Sequence, residues 1–292
     1  MGEPIRTERP PRLQATFAVL ALVLVASCSD IQPPTMPALP SASGAHTPGR
    51  IVWIDLLTAD FEEAEAFYGP LFGWTFQKTT DPDYRSISLG DEPVAGMIER
   101  DEQDNEAEAI WLTYLSVPNV NRASQEAKSS LGRVLMKPQE APERGRVSVV
   151  ADSDHAIVVL LRASGGDPAA SPVRDGEFLW ADLWTHDLKG AARFYKKVAG
   201  LEVKTVKKRD GSTQHLLVKD GVATAGLVKL PWKEVQANWL PYVKTADVAA
   251  TARKAVQLGG KVLLQSKNTA VIQDPEGGAI GIQSKAPKGD PR

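Results

Sequence analysis

The chain is poor in the residues on which thiol and metal chemistry depend. It has one cysteine and four histidines among 292 residues, and a single cysteine excludes an internal disulfide framework. It also lacks an excess of either charge, with a formal net charge of −2 and a pI near 6.1. Proteins that bind nucleic acid usually carry a basic surface, so we expect no nucleic-acid partner.

Long apolar runs are scarce as well, and the most prominent one lies at the N-terminus. Residues 13–27 read LQATFAVLALVLVAS and follow Arg6, Arg9 and Arg12, which is the layout of a bacterial export signal. A transmembrane helix needs about 20 apolar residues, and this run is shorter. We therefore predict that residues 1–27 are a signal peptide.

The end of this run, Val25-Ala26-Ser27-Cys28, resembles the lipobox of bacterial lipoproteins. The resemblance implies that Cys28 is the lipid attachment site and carries acyl chains such as palmitate. Several acyl chains hold a protein firmly on a membrane. We expect a protein of the cell envelope, anchored on the outer face of the inner membrane or in the outer membrane. The alternative is an ordinary cleaved signal with a stray cysteine.

The rest of the chain contains an internal repeat. Residues 53–60 read WIDLLTAD and residues 180–187 read WADLWTHD, 127 positions apart. Other pairs keep nearly the same offset, for example Leu131-Gly132 and Leu258-Gly259. A constant offset over such a length indicates a duplicated module.

The repeat divides the chain into segments. The stretch after Cys28 is rich in proline and has little periodic apolar pattern, which is typical of an extended linker. The predicted divisions are a signal peptide (1–27), the lipidated cysteine with a linker (28–50), module 1 (51–165), an inter-module linker (166–176), module 2 (177–285) and a tail (286–292).

Each module contains the same smaller unit twice. A strand leads through a polar capping residue into a helix, and short β-rich runs separated by turn residues follow. The four capping residues are Asp60, Asn119, Asp187 and Asp247, and Glu63 completes a capping box with Asp60. The sequence therefore predicts a β-α-β-β-β unit, repeated four times.

Four such units in two modules resemble the vicinal oxygen chelate (VOC) superfamily, which includes glyoxalase I, bleomycin-resistance proteins, fosfomycin-resistance enzymes and extradiol dioxygenases. The resemblance is based on the D-x-x-x-A-x-x-FY helix openings, the W-x-x-Y strands, a helix ending in LGG, and DPEGG at residues 274–278. It implies an α+β fold in which two units form a curled mixed sheet around a cavity that binds ligands.

The chemistry of this superfamily depends on a divalent metal, held by His or Glu from the first, fifth and eighth strands of a module. The resemblance places these positions at Trp53, Leu112 and Val159 in module 1 and at Trp180, Leu240 and Gly281 in module 2. None of these residues is a usual metal ligand, and none has His, Glu or Asp beside it. The four histidines lie in the predicted linker, in turns and at a strand start. We expect no metal or other cofactor.

Tryptophan and aspartate occupy the strands where the metal ligands are missing. Strand alternation puts Trp53 and Asp55 on one face, and likewise Trp180 and Asp182. One hypothesis is an aromatic cavity with a carboxylate, suited to a flat or cationic ligand. The other is that tryptophan fills the vacated space and aspartate accepts hydrogen bonds from its surroundings. The candidate ligand-binding residues are Trp53, Asp55, Trp111, Trp180, Asp182 and Trp239.

The sequence leaves three functions open. The first is a membrane-tethered VOC protein that binds an unknown small molecule or a partner without the usual metal. The second is a divergent metal-dependent enzyme of the lyase or dioxygenase type, in which Asp55 or Asp182 takes part. The third is a structural envelope module. No catalytic residue is assigned.

Overall fold

The computed structural model describes residues 32–40, 42–100, 108–207 and 211–285. The predicted signal peptide, Cys28 and the predicted tail lie outside the described residues. Within these ranges, no helix is long and apolar enough to cross a membrane.

The four predicted β-α-β-β-β units are all present, two in each module. Unit 1 is β1 (Ile51–Thr58), α1 (Phe61–Phe72), β2 (Thr75–Lys78), β3 (Tyr84–Leu89) and β4 (Glu92–Glu99). Unit 2 is β5 (Ile110–Ser116), α2 (Val120–Ser129), β6 (Arg133–Ala141), β7 (Gly145–Ala151) and β8 (Ile157–Ala163). Unit 3 is β9 (Phe178–Thr185), α3 (Leu188–Ala199), β10 (Glu202–Lys207), β11 (Thr213–Lys219) and β12 (Val222–Lys229). Unit 4 is β13 (Asn238–Lys244), α4 (Val248–Gln257), β14 (Lys261–Gln265), β15 (Thr269–Gln273) and β16 (Ala279–Gln283).

Each module forms one mixed sheet of eight strands. The strand order is β2-β3-β4-β1-β5-β8-β7-β6 in module 1 and β10-β11-β12-β9-β13-β16-β15-β14 in module 2. Within a unit the first strand pairs in parallel with the fourth, and the two units of a module join through their antiparallel first strands. The expected α+β fold with two tandem modules is confirmed.

The predicted capping residues begin all four helices. Each side-chain oxygen accepts a hydrogen bond from a backbone N–H of the first turn, which otherwise has no partner. The acceptors are Asp60, Asn119, Asp187 and Asp247, and the distances from the backbone nitrogen to Oδ1 are 2.9 to 3.1 Å.

After the second helix of each module, the structure aligns the repeat one residue differently from the sequence offset. The offset matches Gly132 with Gly259, whereas the structure equates Gly132 with Gly260. A Cβ at Gly132 would lie 2.5 Å from the ring of Phe194, and a Cβ at Gly260 would lie 2.6 Å from the ring of Phe67. Both contacts cross between the modules, so glycine is needed here for close approach.

The two modules pack through the sheet faces that carry the helices. Helix α1 lies beside α4, and α2 lies beside α3. Two hydrophobic cores fill this interface, one around each helix pair. The opposite face of each sheet, called the concave face below, has a separate apolar cluster in each module.

Candidate functional site

The positions implied as metal ligands converge on the concave faces. Trp53, Leu112 and Val159 are 3 to 8% exposed and belong to one cluster in module 1. In module 2, Trp180 and Leu240 share a cluster in the same way. A divalent metal needs oxygen, sulfur or imidazole ligands, and these side chains offer none. The described part of the chain also holds no group of three His, Cys, Asp or Glu placed to bind a metal. The residues at these positions do not fit a divalent metal.

Each concave face contains a hydrogen-bonded tryptophan and aspartate instead. Trp53 Nε1 donates to Asp55 Oδ1 at 2.6 Å, and Trp180 Nε1 donates to Asp182 Oδ1 at 2.8 Å. The strand that pairs with β1 or β9 has a glycine beside this carboxylate, Gly96 on β4 and Gly226 on β12. A Cβ at either glycine would overlap the carboxylate oxygen.

In module 1 this pair lies in a closed cluster around Arg144. Asp55 and Arg144 are 0 and 1% exposed. The Tyr84 hydroxyl donates to Asp55 at 2.9 Å and accepts from Arg144 Nη2 at 3.0 Å. The Arg144 guanidinium also lies over three rings, 4.9 Å from the Trp53 centroid, 5.9 Å from Tyr84 and 5.8 Å from Tyr114. Aromatic faces and a carboxylate offset the cost of burying this cation.

The tyrosines of this cluster stay neutral. Burial raises the pKa of Tyr84 and of Tyr114, and the Asp55 carboxylate raises both further. Their hydroxyls therefore act as hydrogen-bond groups at neutral pH and carry no charge.

The described part of the predicted linker covers the concave face of module 1. Met36 and Leu39 are 2 and 5% exposed and join its apolar cluster. The carbonyl of Pro37 accepts from Arg144 Nε at 2.7 Å, and the Tyr114 hydroxyl lies 3.5 Å from Met36 Sδ. This segment therefore docks on module 1 and is not a free stalk.

Among the described residues, the corresponding site in module 2 has no counterpart of Arg144, and its aspartate is more exposed. The strand registers show that the β14–β15 hairpin (Lys261–Gln273) is shorter than the β6–β7 hairpin (Arg133–Ala151), whose turn carries Arg144. They also place the half-buried Trp184 at the position of Leu57. Asp182 is partly exposed, whereas its counterpart in module 1 is fully buried.

Tyr242 completes this site beside Asp182. Burial raises the pKa of Tyr242, and the Asp182 carboxylate raises it further. The Trp184 indole lowers the pKa of Tyr242. The three aromatic side chains and the carboxylate thus lie together on the concave face of module 2.

A cavity of about 200 Å³ lies next to this site, where the first strands of the two modules run close together. Trp180 and Ala223 line it from module 2, Trp53 lines it from module 1, and residues 168–171 of the inter-module linker complete the wall. It gives space for a few non-hydrogen atoms beside Trp180.

Two of the candidate residues lie on the other side of the sheets. Trp111 and Trp239 are 1 and 0% exposed and pack in the interface cores. Their indole N–H groups donate to Tyr68 at 2.9 Å and to Tyr195 at 2.8 Å. They cannot reach a ligand on a concave face, so we remove Trp111 and Trp239 from the ligand-binding candidates.

These two hydrogen bonds are the first steps of relays between the modules. The Tyr68 hydroxyl donates to Asp274 at 2.7 Å, and the Tyr195 hydroxyl donates to Asp152 at 3.2 Å. Burial raises the pKa of each aspartate to about 6. Each Trp-Tyr-Asp relay therefore connects one module to a turn of the other, and its role is structural.

Arg144 is the main site residue that the sequence does not indicate. It lies in a turn between Glu143 and Gly145, both at positive φ. From the sequence alone, a charged residue in a turn is expected to be exposed. The only available signal is that Arg144 has no counterpart in the second module.

Comparison with known proteins gives the family. The profile of the Glyoxalase/Bleomycin resistance protein/Dioxygenase superfamily matches residues 50–160, and that of a Glyoxalase-like domain matches residues 179–282. The "Putative glyoxylase CFP32" of Mycobacterium tuberculosis is 28% identical over 247 residues, 81% of this chain and 95% of that protein. The anthracycline biosynthesis protein DauV of Streptomyces sp. is 27% identical, over 80% of this chain and 93% of that protein.

Solved structures share the fold at low sequence identity. A Mn(II)-bound glyoxalase from Novosphingobium aromaticivorans has a TM-score of 0.58 at 14% identity and covers 83% of this chain and 84% of its own. An extradiol ring-cleaving dioxygenase from B. fuscum has a TM-score of 0.56 at 13% identity, and the match covers 87% of this chain and 76% of the dioxygenase. With two profile matches that coincide with the two modules, the chain belongs to the glyoxalase/bleomycin resistance/dioxygenase (VOC) superfamily, as a tandem pair of modules.

Proposed function

We propose that this protein binds a small molecule on the concave face of module 2, without a metal at the positions where the superfamily holds one. The observation that supports this most is the difference between the two Trp-Asp pairs. Asp55 is fully buried beneath Arg144, whereas Asp182 is partly exposed.

The surroundings of Asp182 have the character of a ligand site. Such sites are concave and mostly apolar, with a few polar groups that orient the ligand. The concave face of module 2 offers the rings of Trp180, Trp184 and Tyr242, the side chain of Leu240 and one carboxylate. In module 1 the corresponding space holds the Arg144 side chain and is covered by the N-terminal segment.

A thermal-shift screen of small molecules tests this function. The full-length chain in detergent, with EDTA present, is screened and the dissociation constants of the hits are measured. Trp180→Phe removes the indole N–H that holds Asp182, so we expect affinity to fall about tenfold. Trp53→Phe makes the same change in the closed module and serves as control, with affinity within about twofold. Hits that depend on Trp53 and not on Trp180, or that need added metal, would contradict the proposal.

A metal-dependent enzyme of the lyase or dioxygenase type is the alternative. The similarity to a protein named as a glyoxylase supports it, as does the fold shared with a Mn(II)-bound glyoxalase. Asp182 is the carboxylate that such a site would use, because it is partly exposed. Elemental analysis of the purified full-length protein separates the two functions. One equivalent of Mn, Fe, Ni or Zn per chain, lost in Asp182→Asn, would favour the enzyme.

A screen without any hit would favour a structural envelope module.

We further propose that the protein is tethered to a membrane of the cell envelope through lipid on Cys28. The support is the lipobox-like sequence after the apolar run. Cys28→Ala should release the protein from the membrane fraction, because the acyl chains supply the membrane affinity. Fractionation of the expressing cells checks this, and a variant that stays with the membrane would disprove the tether.

A further inference from the structure

We propose that Asp167 is a positioning residue of the module 2 site. It fastens the inter-module linker to the N-terminal segment, and it thereby holds in place the part of the linker that forms a wall of the cavity beside Trp180. This inference rests on the proposed function and assigns a further residue to it. It also means that residues 42–47, which precede module 1 in the chain, help to shape a site in module 2.

The Asp167 side chain is the centre of this attachment. It lies near the start of the inter-module linker and is 0% exposed. Its Oδ2 accepts from the Thr47 backbone N–H at 2.5 Å, from the Thr47 hydroxyl at 3.0 Å and from the Ser116 hydroxyl at 2.7 Å. A buried carboxylate needs such donors, because its removal from water is costly. The carboxylate therefore joins the linker to the N-terminal segment and to β5.

The backbone on both sides adds further hydrogen bonds. The Asp167 N–H donates to the Ala45 carbonyl at 2.7 Å. The Asp167 carbonyl accepts from the Ser43 N–H at 3.1 Å and from the Ser43 hydroxyl at 2.9 Å. Ala42 forms a β-bridge with Pro168. The start of the linker and this part of the N-terminal segment thus form one hydrogen-bonded unit.

The cavity wall begins directly after this unit. Residues 168–171 line the cavity that Trp180 lines from module 2. The linker is attached again at Val173, whose carbonyl accepts from Lys244 Nζ at 2.7 Å. Between the two attachments the linker is mostly exposed, so packing contributes little to its position. The position of the wall therefore depends on the attachments at Asp167 and Val173.

Loss of the attachment at Asp167 would change the module 2 site in a defined way. A wall that moves freely has to be ordered when a ligand binds, and this ordering lowers the affinity. The Trp180 indole would lie in varying surroundings, and the linker would become a better protease substrate. A loss of stability elsewhere in the chain has none of these local effects.

Four variants of the full-length chain in detergent test this role. Asp167→Ala removes the acceptor of three hydrogen bonds, whereas Asp167→Asn keeps one acceptor oxygen and is the conservative variant. Thr47→Val removes only a hydroxyl, so it replaces Asp167→Ala if that variant does not fold. Ser124→Ala removes a buried hydrogen bond to Ser148 within module 1, at 2.9 Å, and is the control for lost stability.

Two measurements need no ligand. They are trypsin cleavage after Arg174, which is exposed in the linker, and the ¹⁵N indole signal of Trp180. The third is the affinity for the hits of the thermal-shift screen. In Asp167→Ala we expect a shifted or broadened Trp180 signal, cleavage at least about tenfold faster and affinity at least about fivefold lower. Thr47→Val should change cleavage and affinity by at least about threefold, and Asp167→Asn and Ser124→Ala by less than about twofold.

An unchanged Trp180 signal and unchanged cleavage in folded Asp167→Ala, or in Thr47→Val if Asp167→Ala does not fold, would overturn the inference. Equal changes in Ser124→Ala would also overturn it, because the effect would then be one of general stability. A loosened linker with unchanged affinity for hits that still depend on Trp180 would overturn the positioning role while the proposed function stands. A screen without hits would remove the proposed function, and the two measurements without ligand would still decide whether Asp167 holds the wall.

Discussion

At the scale of single residues, the octet that opens each module has one task at each shared position. Trp53 and Asp55 hydrogen bond to each other on the concave face. Leu56 is fully buried in the interface core. The Thr58 hydroxyl donates across the interface to a glutamate of module 2, and Asp60 caps the following helix. The second octet makes the same kinds of contact, and Thr185 donates to Asp154 of module 1 at 2.7 Å.

Leu131 is a residue whose backbone conformation the sequence does not reveal. Its φ is 66°, in the left-handed region, and its side chain is 84% exposed. Non-glycine residues pay roughly 1–2 kcal/mol there, and this side chain gains little from packing. Leu131→Gly should therefore raise the free energy of unfolding by about 0.5–1 kcal/mol, after the entropy cost of glycine. Chemical denaturation checks this.

The structurally equivalent position in module 2 provides the control. Gly259 has a φ of 93° and ends α4 as Leu131 ends α2. Gly259→Leu should lower the free energy of unfolding by at least 1 kcal/mol. A stability loss in Leu131→Gly would show that the exposed leucine makes a contact that matters.

The sequence alone predicts those parts of the site that depend on local rules. Helix caps and strand alternation act over a few residues, so Asp60, Asp187 and the pairing of Trp53 with Asp55 on one face could be read directly. The position of Arg144 depends on contacts with the N-terminal segment and with β1, which lie about 100 residues away in the chain. No local pattern records such contacts.

At the scale of elements, the helices connect the modules as well as covering the sheets. Tyr68 on α1 and Tyr195 on α3 each lie within a Trp-Tyr-Asp relay that ends in a turn of the other module. The sequence predicts the helices and their FY pairs. It does not predict which helix lies beside which, because the apolar faces of four similar helices are interchangeable by pattern.

The aspartates of the relays should make stability depend on pH. Burial raises the pKa of Asp152 from its unfolded value near 3.8 to about 6. The folded state thus binds the proton more tightly, and this contribution to stability is complete below about pH 4 and lost as the pH rises through 6. Asp152→Asn keeps an acceptor for Tyr195 and cannot ionise. It should remove a decline on the order of 2 kcal/mol between pH 4.5 and 7.5.

Asp154, two residues away, is the control with opposite sign. Although burial acts to raise its pKa, hydrogen bonds from Thr185 and from the His186 backbone lower it. The stabilisation that follows from this lowered pKa is present above the unfolded pKa and is lost as the pH falls. Asp154→Asn should therefore alter the free energy of unfolding below about pH 4. Denaturation curves at pH 3, 4.5 and 7.5 measure both effects. An unchanged pH profile in Asp152→Asn would contradict the assigned titration.

At the scale of the whole molecule, duplication has produced two modules with the same fold and different concave faces. In module 1, Arg144 fills the face, and the segment Met36–Leu39 covers it. The sequence predicts the duplication and the family, because both are repeated patterns. It does not predict the covering, because a proline-rich segment without periodicity looks like a free linker.

Under the proposed lipid tether, the docked segment would also limit how far module 1 stands from the membrane. If Cys28 carries the lipid, only eight residue steps separate it from the buried Met36. An extended chain spans at most about 3.5 Å per residue. Module 1 would therefore lie within about 30 Å of the membrane surface, with its covered face toward the tether.

Two matched substitutions test the docking of this segment. Met36 is 2% exposed, whereas Ala38 is exposed. Met36→Asp would bury a carboxylate in an apolar cluster, so the segment should detach, with a loss of about 2–4 kcal/mol in stability. Ala38→Asp adds the same charge and should cost less than about 0.5 kcal/mol. Limited proteolysis of the segment and chemical denaturation check both, and equal behaviour of the two variants would contradict the docked arrangement.

The most direct test of the central claim is an NMR titration of the indole N–H groups in the full-length protein, with ¹⁵N-labelled tryptophan. The seven tryptophans are assigned by substitution, and the tightest ligand from the screen is added to saturation in the presence of EDTA. If module 2 alone binds the ligand, the signals of Trp180 and Trp184 will shift and that of Trp53 will stay in place. A shift of Trp53 without Trp180, or shifts that require an added metal ion, would contradict the account.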